Sequence, residues 1–196
     1  LVTNSSFTHT RGTLDANNQN VTVSSFSSSN SNTRTITMGS GNWTLTGSLT
    51  VWNLATVTGL TLNPGSSTII INDNTAAGKT FAGGGRVYQG LQFTGTGAGA
   101  LTIQGSNTFS NFTINTQPKS VNFTAGTTQT ILGIFTANGS TSTLRSTASP
   151  STYTINAATT SLSYIDVMDN IATGTGVPFI CGLTCIDSGN NTTWSF

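Results

Sequence analysis

Glutamate does not occur in this chain, and charge of either sign is scarce. All five acidic residues are Asp, Lys and Arg together number 6, and only 6% of the 196 residues are charged. An average soluble protein carries roughly 25%. The formal net charge of +1 provides no broad attraction for nucleic acid or anionic lipid. Without Glu, and with few Lys, Ala or Leu, there is little from which to build helices. No apolar run approaches the ~18 residues of a membrane span, so no membrane insertion is expected. One histidine, His9, and two cysteines fall short of the about four ligands that a structural metal needs. No cofactor is expected. The 35% apolar fraction is low for a globule, yet too high and too evenly spaced for a disordered linker.

Small polar residues are what the chain has in excess. Thr (40), Ser (24), Gly (22) and Asn (20) make up 106 of 196 residues. The composition reads as a neutral, β-rich protein coated in Thr, Asn and Gly. The chain opens at Leu1 with neither an initiator Met nor a signal-peptide pattern, as expected of a processed chain or a fragment. Cys181 and Cys185, in Cys-Gly-Leu-Thr-Cys, suit a small disulfide loop and hence an oxidising compartment; free thiols are the alternative. So short a loop removes little chain entropy and shapes a turn more than it stabilises a fold.

Short alternating apolar pairs recur along the chain: Leu60/Leu62, Ile69/Ile71, Leu91/Phe93, Leu101/Ile103, Phe112/Ile114, Val121/Phe123, Tyr153/Ile155 and Ile165/Val167. The pairs beginning at 91, 101, 112 and 121 lie 10, 11 and 9 residues apart, so every second pair returns after about 20 residues. Gly, Asn, Ser and Thr punctuate the gaps, as in Gly95–Gly99, Gly105–Asn107, Asn115–Pro118 and Ala125–Thr128. Period-2 apolarity over a few residues means a strand with one buried face, and the punctuation marks turns.

Two architectures share that signal: an antiparallel β-sandwich of hairpins, and a solenoid whose coils each contribute two or three short strands. The pairs are short and near-identical, and the residue between their two apolar members is repeatedly Thr, Asn or Gln. This favours an all-β, single-domain, right-handed parallel β-helix over residues 1–196. Thr and Asn would stack in ladders along its axis. About nine coils of about 21 residues, each rising ~4.8 Å, predict a rod of roughly 40–45 Å. Trp43, Trp52, Phe81, Phe109, Phe112 and Phe135 read as core filler rather than as a ligand platform.

The stretches Phe7–Asp15, Ser25–Gly47 and Ser163–Asp169, with the closing Asp187–Trp194, resemble a diffuse group of parallel β-helix repeat proteins of the bacterial surface, adhesin and phage-appendage type. The resemblance covers most of the chain, and its motifs are structural rather than catalytic. It implies a right-handed β-solenoid on a cell or virion exterior, and no activity. Because related solenoids include polysaccharide-cleaving enzymes, the acidic residues need a test.

Glycoside hydrolysis needs two carboxyl groups some 5–9 Å apart. Asp166 and Asp169 would point to opposite faces of a strand and converge only if the chain turns after Val167, with Asp187 as a third candidate. The simpler reading makes Asp169-Asn170 and Asp187-Ser188-Gly189 turn residues. Asp15, Asp73, Asp166, Asp169 and Asp187 are too scattered for a Ca²⁺ cluster. A Ser/His/Asp triad has only His9 to draw on, which reads as a surface or turn residue. Gly83-Gly84-Gly85-Arg86 lacks the Lys-Ser/Thr ending of a phosphate loop and reads as a turn. Arg11, Arg34, Lys79, Arg86, Lys119 and Arg145 form no stripe, against nucleic-acid binding. The sequons at Asn4, Asn20, Asn42, Asn111, Asn122, Asn138, Asn190 and Asn191 are of a number that chance produces in such a composition, and matter only if the producer glycosylates.

A solenoid ends in two faces with unpaired backbone groups and bare core. No capping helix is predicted. The N-terminal arm (1–13) and C-terminal segment (180–196) are the candidates to fold over the ends, with Leu1, Val2, Trp194 and Phe196 as capping or assembly contacts. The leading expectation is a non-enzymatic structural subunit of an extracellular fibre or filament whose main partner is itself. The alternative is an adhesin or carbohydrate-binding solenoid with a surface polysaccharide as partner, and an enzyme comes last.

Overall fold

The computed structural model describes residues 1–114, 119–138 and 141–196; the expected turn at Asn115–Pro118 lies outside them. Among the described residues every strand pairing is parallel, so the chain is a β-solenoid and not an antiparallel sandwich. One sheet has nine strands: Phe7–Thr8, Phe26–Ser27, Leu49–Asn53, Lys79–Ala82, Leu101–Gln104, Ser120–Phe123, Ser142–Ser146, Ile165–Val167 and Ile186–Asp187. The second has eight: Val21–Val23, Trp43–Leu45, Thr68–Ile71, Val87–Phe93, Thr108–Ile114, Thr128–Ala137, Tyr153–Leu162 and Asn170–Thr173. Nine stacked strands at ~4.8 Å give a length of about 40 Å.

The alternation read in the sequence is the alternation of burial. In Val21–Val23, Trp43–Leu45 and Leu101–Ile103 the outer two residues are buried and the central Thr faces out. Because the register preserves phase, buried columns run down the axis. One is Val21, Trp43, Ile69, Leu91, Phe112 and Phe135; its neighbour is Val23, Leu45, Ile71, Phe93, Ile114 and Ala137. No single coil can bury its own apolar face, so stability is a property of the stack.

Coil shape changes along the axis. The first three coils carry a third sheet, Gly12–Asp15, Arg34–Thr37 and Leu60–Asn63. From Val87 onward the second and third sides merge into one long strand, reaching ten residues in Thr128–Ala137 and Tyr153–Leu162. Uniformly short strands were expected from the repeat; here the chain bends without breaking the ladder, with register shifts between Phe109 and Phe112 and between Ile131 and Ile134. The 20-residue rhythm is met closely where Phe26 opposes Phe7 and Val121 opposes Leu101 and loosens elsewhere, as where Phe135 opposes Phe112 and Ala157 opposes Ile131; the spacings are also long where Trp52 opposes Phe26 and Phe81 opposes Trp52, in coils that carry the third side.

Eleven aromatics, Phe7, Phe26, Trp43, Trp52, Phe81, Tyr88, Phe109, Phe112, Phe123, Phe135 and Tyr153, form one connected chain. Phe26 contacts Trp52 at 4.8 Å between centroids, Trp52 stacks on Phe81 at 6.2 Å, Phe81 meets Phe109 at 5.9 Å and Phe123 stacks on Tyr153 at 4.5 Å. Trp43, Trp52, Phe81, Phe109, Phe112 and Phe135 are all buried. Two of the aromatic polar tips are linked: Trp52 Nε1 donates to Tyr88 Oη (3.1 Å), which donates to the Gly83 carbonyl (2.7 Å), whereas the buried Tyr153 hydroxyl has no partner among the described residues.

Candidate interaction surfaces

At the N-terminal end, Leu1-Val2-Thr3 lies along Val21–Val23 as a short extra rung. Thr22 N donates to the Leu1 carbonyl (2.7 Å), Thr3 N donates to the Thr22 carbonyl (2.8 Å), and Val2 bridges Thr22 in parallel. Leu1 is 57% and Val2 78% exposed. Within the stretch 1–13, Phe7–Thr8 is the first strand of the nine-stranded sheet and Gly12 begins the third sheet.

The C-terminal end is built differently. Trp194–Ser195 pairs with Phe179–Ile180. Trp194 stacks on Phe196 at 5.4 Å, meets Phe179 edge-on at 5.2 Å, and donates through Nε1 to Asn170 Oδ1 (2.8 Å). Trp194 and Phe196 both pack against the core. Cys181 and Cys185 form a disulfide across a 3₁₀ turn, Gly182–Thr184, that leaves Leu183 fully exposed. Near it, Ile180 and Ile186 are also exposed.

Three cations lie inside the stack, which sequence reasoning missed. Lys79 Nζ sits 2.7 Å from Asp73 Oδ2 and donates to the Thr75 carbonyl (2.9 Å). Burial pushes the Asp73 carboxyl up, yet the hydrogen bonds from Lys79 and Thr75 outweigh it and hold it below the usual carboxylate range. Lys119 donates to the Gly95 and Gly97 carbonyls and lies 4.8 Å from the centroid of the Phe93 ring. Burial, with Lys79 nearby, pulls its ammonium below the usual range for lysine. Arg34 spends its guanidinium on the Ser28 hydroxyl and on the carbonyls of Ser28, Asn32, Thr56 and Thr58, at 2.6–2.9 Å. A signal was present: in Lys79-Thr80-Phe81 and Arg34-Thr35-Ile36, alternation puts the cation on the face of the buried residue two positions on.

His9 corrects an expectation. It is buried, because alternation from Phe7 turns it inward, and its Nδ1 is 3.5 Å from Ser28 Oγ. Its Nε2 has no partner among the described residues, so no carboxylate completes a triad.

The acidic residues are spent on local structure. Asp15 Oδ1 accepts from Asn17 N (2.7 Å) and Asp187 Oδ1 from Gly189 N (2.9 Å). Asp169, at φ 62°, is a buried corner residue that accepts from Asn190 Nδ2 (2.8 Å). Asp166 faces outward on its strand, bonded by Arg145 Nη2 (2.6 Å) from one coil and Ser188 Oγ (2.6 Å) from another. Burial raises its carboxyl, but these two donors outweigh that and hold it below the usual range. Among the described residues no three His, Cys or Asp side chains are close enough to hold a metal ion. Gly84–Gly85 is a turn, from which Arg86 reaches the Val57 carbonyl (3.1 Å).

Side-chain amides tie coil to coil. On the outside, Asn20 Oδ1 accepts from Asn42 N (2.9 Å) and Asn74 Oδ1 from Thr96 N (2.8 Å); inside, Gln129 Oε1 accepts from Asn107 Nδ2 (3.1 Å), both residues being buried. Asn111 and Asn122 lie within strands, while the sequon at Asn138 runs into residues outside those described. No family model, curated protein or solved structure matches the chain.

Proposed function

We propose that this chain is a non-enzymatic structural module of an extracellular fibre or filament, either a protomer that stacks on itself or a shaft segment of a longer surface or virion protein. The supporting observation is where the chemistry sits. The aromatic chain is interior, the buried cations are consumed by carbonyls and by Asp73, and the acids serve turns and inter-coil bonds. What remains outside is largely a neutral coat of hydroxyls and amides over a rod, which suits a spacer.

The two ends support axial contact unequally. Trp194 and Phe196 cover part of the last coil, whereas Leu1 and Val2 lie bare on a rung with one paired edge. A bare parallel edge is a template for further parallel pairing, and a head-to-tail contact that does not close on itself gives a filament. The N-terminal rung is therefore assigned to the axial contact. The disulfide suits an oxidising exterior.

Sedimentation and negative-stain electron microscopy of the full chain over a rising concentration series test the self-stacking form. Rods in multiples of about 40 Å, shortened by Val2→Asp, are the expected result. Compact monomers at every concentration would overturn it.

A further inference from the structure

The chain visits each side of the rod once per coil, and it starts and finishes on the same side. Residues 1–3 are the first rung there, beside Val21–Val23, and Trp194–Ser195 is the last, paired with Phe179–Ile180. That side therefore has one rung more than the nine-stranded sheet, which runs from Phe7–Thr8 to Ile186–Asp187. Two copies joined head to tail through residues 1–3 and Trp194–Ser195 cannot run the nine-stranded sheet on. Its strands Ile186–Asp187 and Phe7–Thr8 then stand two rises apart, about 9.6 Å, where pairing needs about 4.8 Å.

This break opens at the corner between Ile180 and Ile186, where the disulfide loop lies. Tyr164 N donates to Thr184 Oγ1 (3.4 Å) and Ile186 pairs with Asp166, so the loop follows the coil next to it. Cys181 is packed in the core, and its bond to Cys185 closes the turn Gly182–Thr184 with Leu183 fully exposed. Among the described residues, six of the ten large apolar side chains that stay exposed stand at the two ends: Leu1 and Val2 at one, Tyr164, Ile180, Leu183 and Ile186 at the other. Apolar surface gathered in this way marks a contact, and a covalently closed turn presents it with little ordering left to do.

Resting on the head-to-tail reading above, we propose that the Leu183 loop is the C-terminal half of the axial contact and fills the missing rung against the first coil of a second copy of this chain. The second copy brings the matching surface. Register with Thr22 sets Val2 outward and Leu1 in the inward column of Val21, yet Leu1 is 57% exposed, so its open face is axial. Phe7, only partly buried, opens the strand on the side where the rung is missing. Side chains rather than backbone bonds then span the break. The stack repeats every ten rises, about 48 Å, instead of the nine, about 43 Å, of a seamless stack in which a terminal rung is displaced.

Cryo-electron microscopy of the full chain reads the axial repeat, and two variants read the contact. Leu1→Asp blocks one end and Leu183→Asp the other; both positions are exposed, so the circular dichroism of each variant stays that of the parent. Each change raises the concentration for half-maximal assembly at least tenfold, because it buries a charge without a partner. An equimolar mixture of the two variants forms dimers and nothing longer, since one pair of intact ends remains. With the parent forming rods, the loop assignment is overturned by an axial repeat of about 43 Å, by Leu183→Asp rods as long as the parent's, or by a mixture without dimers; each of these leaves stacking itself in place. Compact monomers of the parent at every concentration remove the stacking reading and the loop assignment with it.

Discussion

Lys79 Nζ and Asp73 Oδ2 are 2.7 Å apart, and neither side chain is more than 2% exposed. The pair occupies the corner where the chain passes from the long-strand sheet into the nine-stranded one. Gly95, Gly97 and Gly99 lie flat against the same corner: an added Cβ at these positions would overlap the carbonyl oxygens of Asp73, Thr75 and Ala77. Lys79 thus takes the Asp73 carboxylate and the Thr75 carbonyl, and Lys119 takes the Gly95 and Gly97 carbonyls, in a corner closed by glycine.

Removing the carboxylate is therefore costly. Asp73→Asn leaves a buried ammonium without its counter-charge and is expected to destabilise by about 3–5 kcal/mol in denaturant unfolding. A loss below about 1 kcal/mol would mean that the carbonyls alone hold Lys79.

Gly97→Ala tests the packing of that corner without altering charge. The backbone at Gly97 is not in the left-handed region, so any cost comes from the overlap with Thr75. A loss of about 3 kcal/mol is expected, at the upper end for overpacking. Gly126→Ala is a contrasting control: nothing lies near its Cβ, but φ is 74°, so its cost is conformational, about 1 kcal/mol. Equal effects at the two positions would refute the packing account.

Stability should fall at acid pH, gain as Lys119 gives up its proton on the alkaline side, and fall again where the buried tyrosines must ionise. Asp73 and Asp166 titrate below their unfolded values; their contribution is complete above the unfolded pKa of about 3.9 and is lost as pH drops through the lowered folded values. Lys119 is also lowered, so the unfolded chain binds its proton more tightly and stability increases as pH climbs toward about 10.4. Tyr88 and Tyr153 are raised by burial, so their contribution is present below about pH 10 and lost above it. A pH series of thermal melts, with phenolate absorbance at the alkaline end, checks this. Phenolate appearing from all tyrosines before unfolding would contradict it.

Arg34→Lys is not a conservative change, because five hydrogen bonds in a planar fork cannot be replaced by one ammonium. A loss of about 2 kcal/mol or more is expected, with faster amide exchange concentrated in the three-sided coils before Asn72. Arg145→Ala, which removes a partly exposed pair with Asp166, should cost no more than about 1 kcal/mol. The reverse order of the two would disprove the assignment.

Much of the fold was legible because a solenoid repeats its instructions. Leu101-Thr102-Ile103 and Val121-Asn122-Phe123 each state which face is buried, and 20 residues between them state the coil. The long first coils and the bend at Gly90 were not legible, since local alternation looks the same whether a strand stops or turns a corner.

Composition and period thus determined the class of fold, the identity of the interior and the neutrality of the coat, because each follows from local alternation between apolar and small polar residues. Stacking decided what that alternation could not express. Inward placement of Lys79 and Arg34 is met by groups that local alternation does not announce: Asp73 and the Thr75 carbonyl in the preceding turn for Lys79, and Ser28, Asn32 and, from the next coil, Thr56 and Thr58 for Arg34, while buried His9 meets Ser28 Oγ of the neighbouring coil.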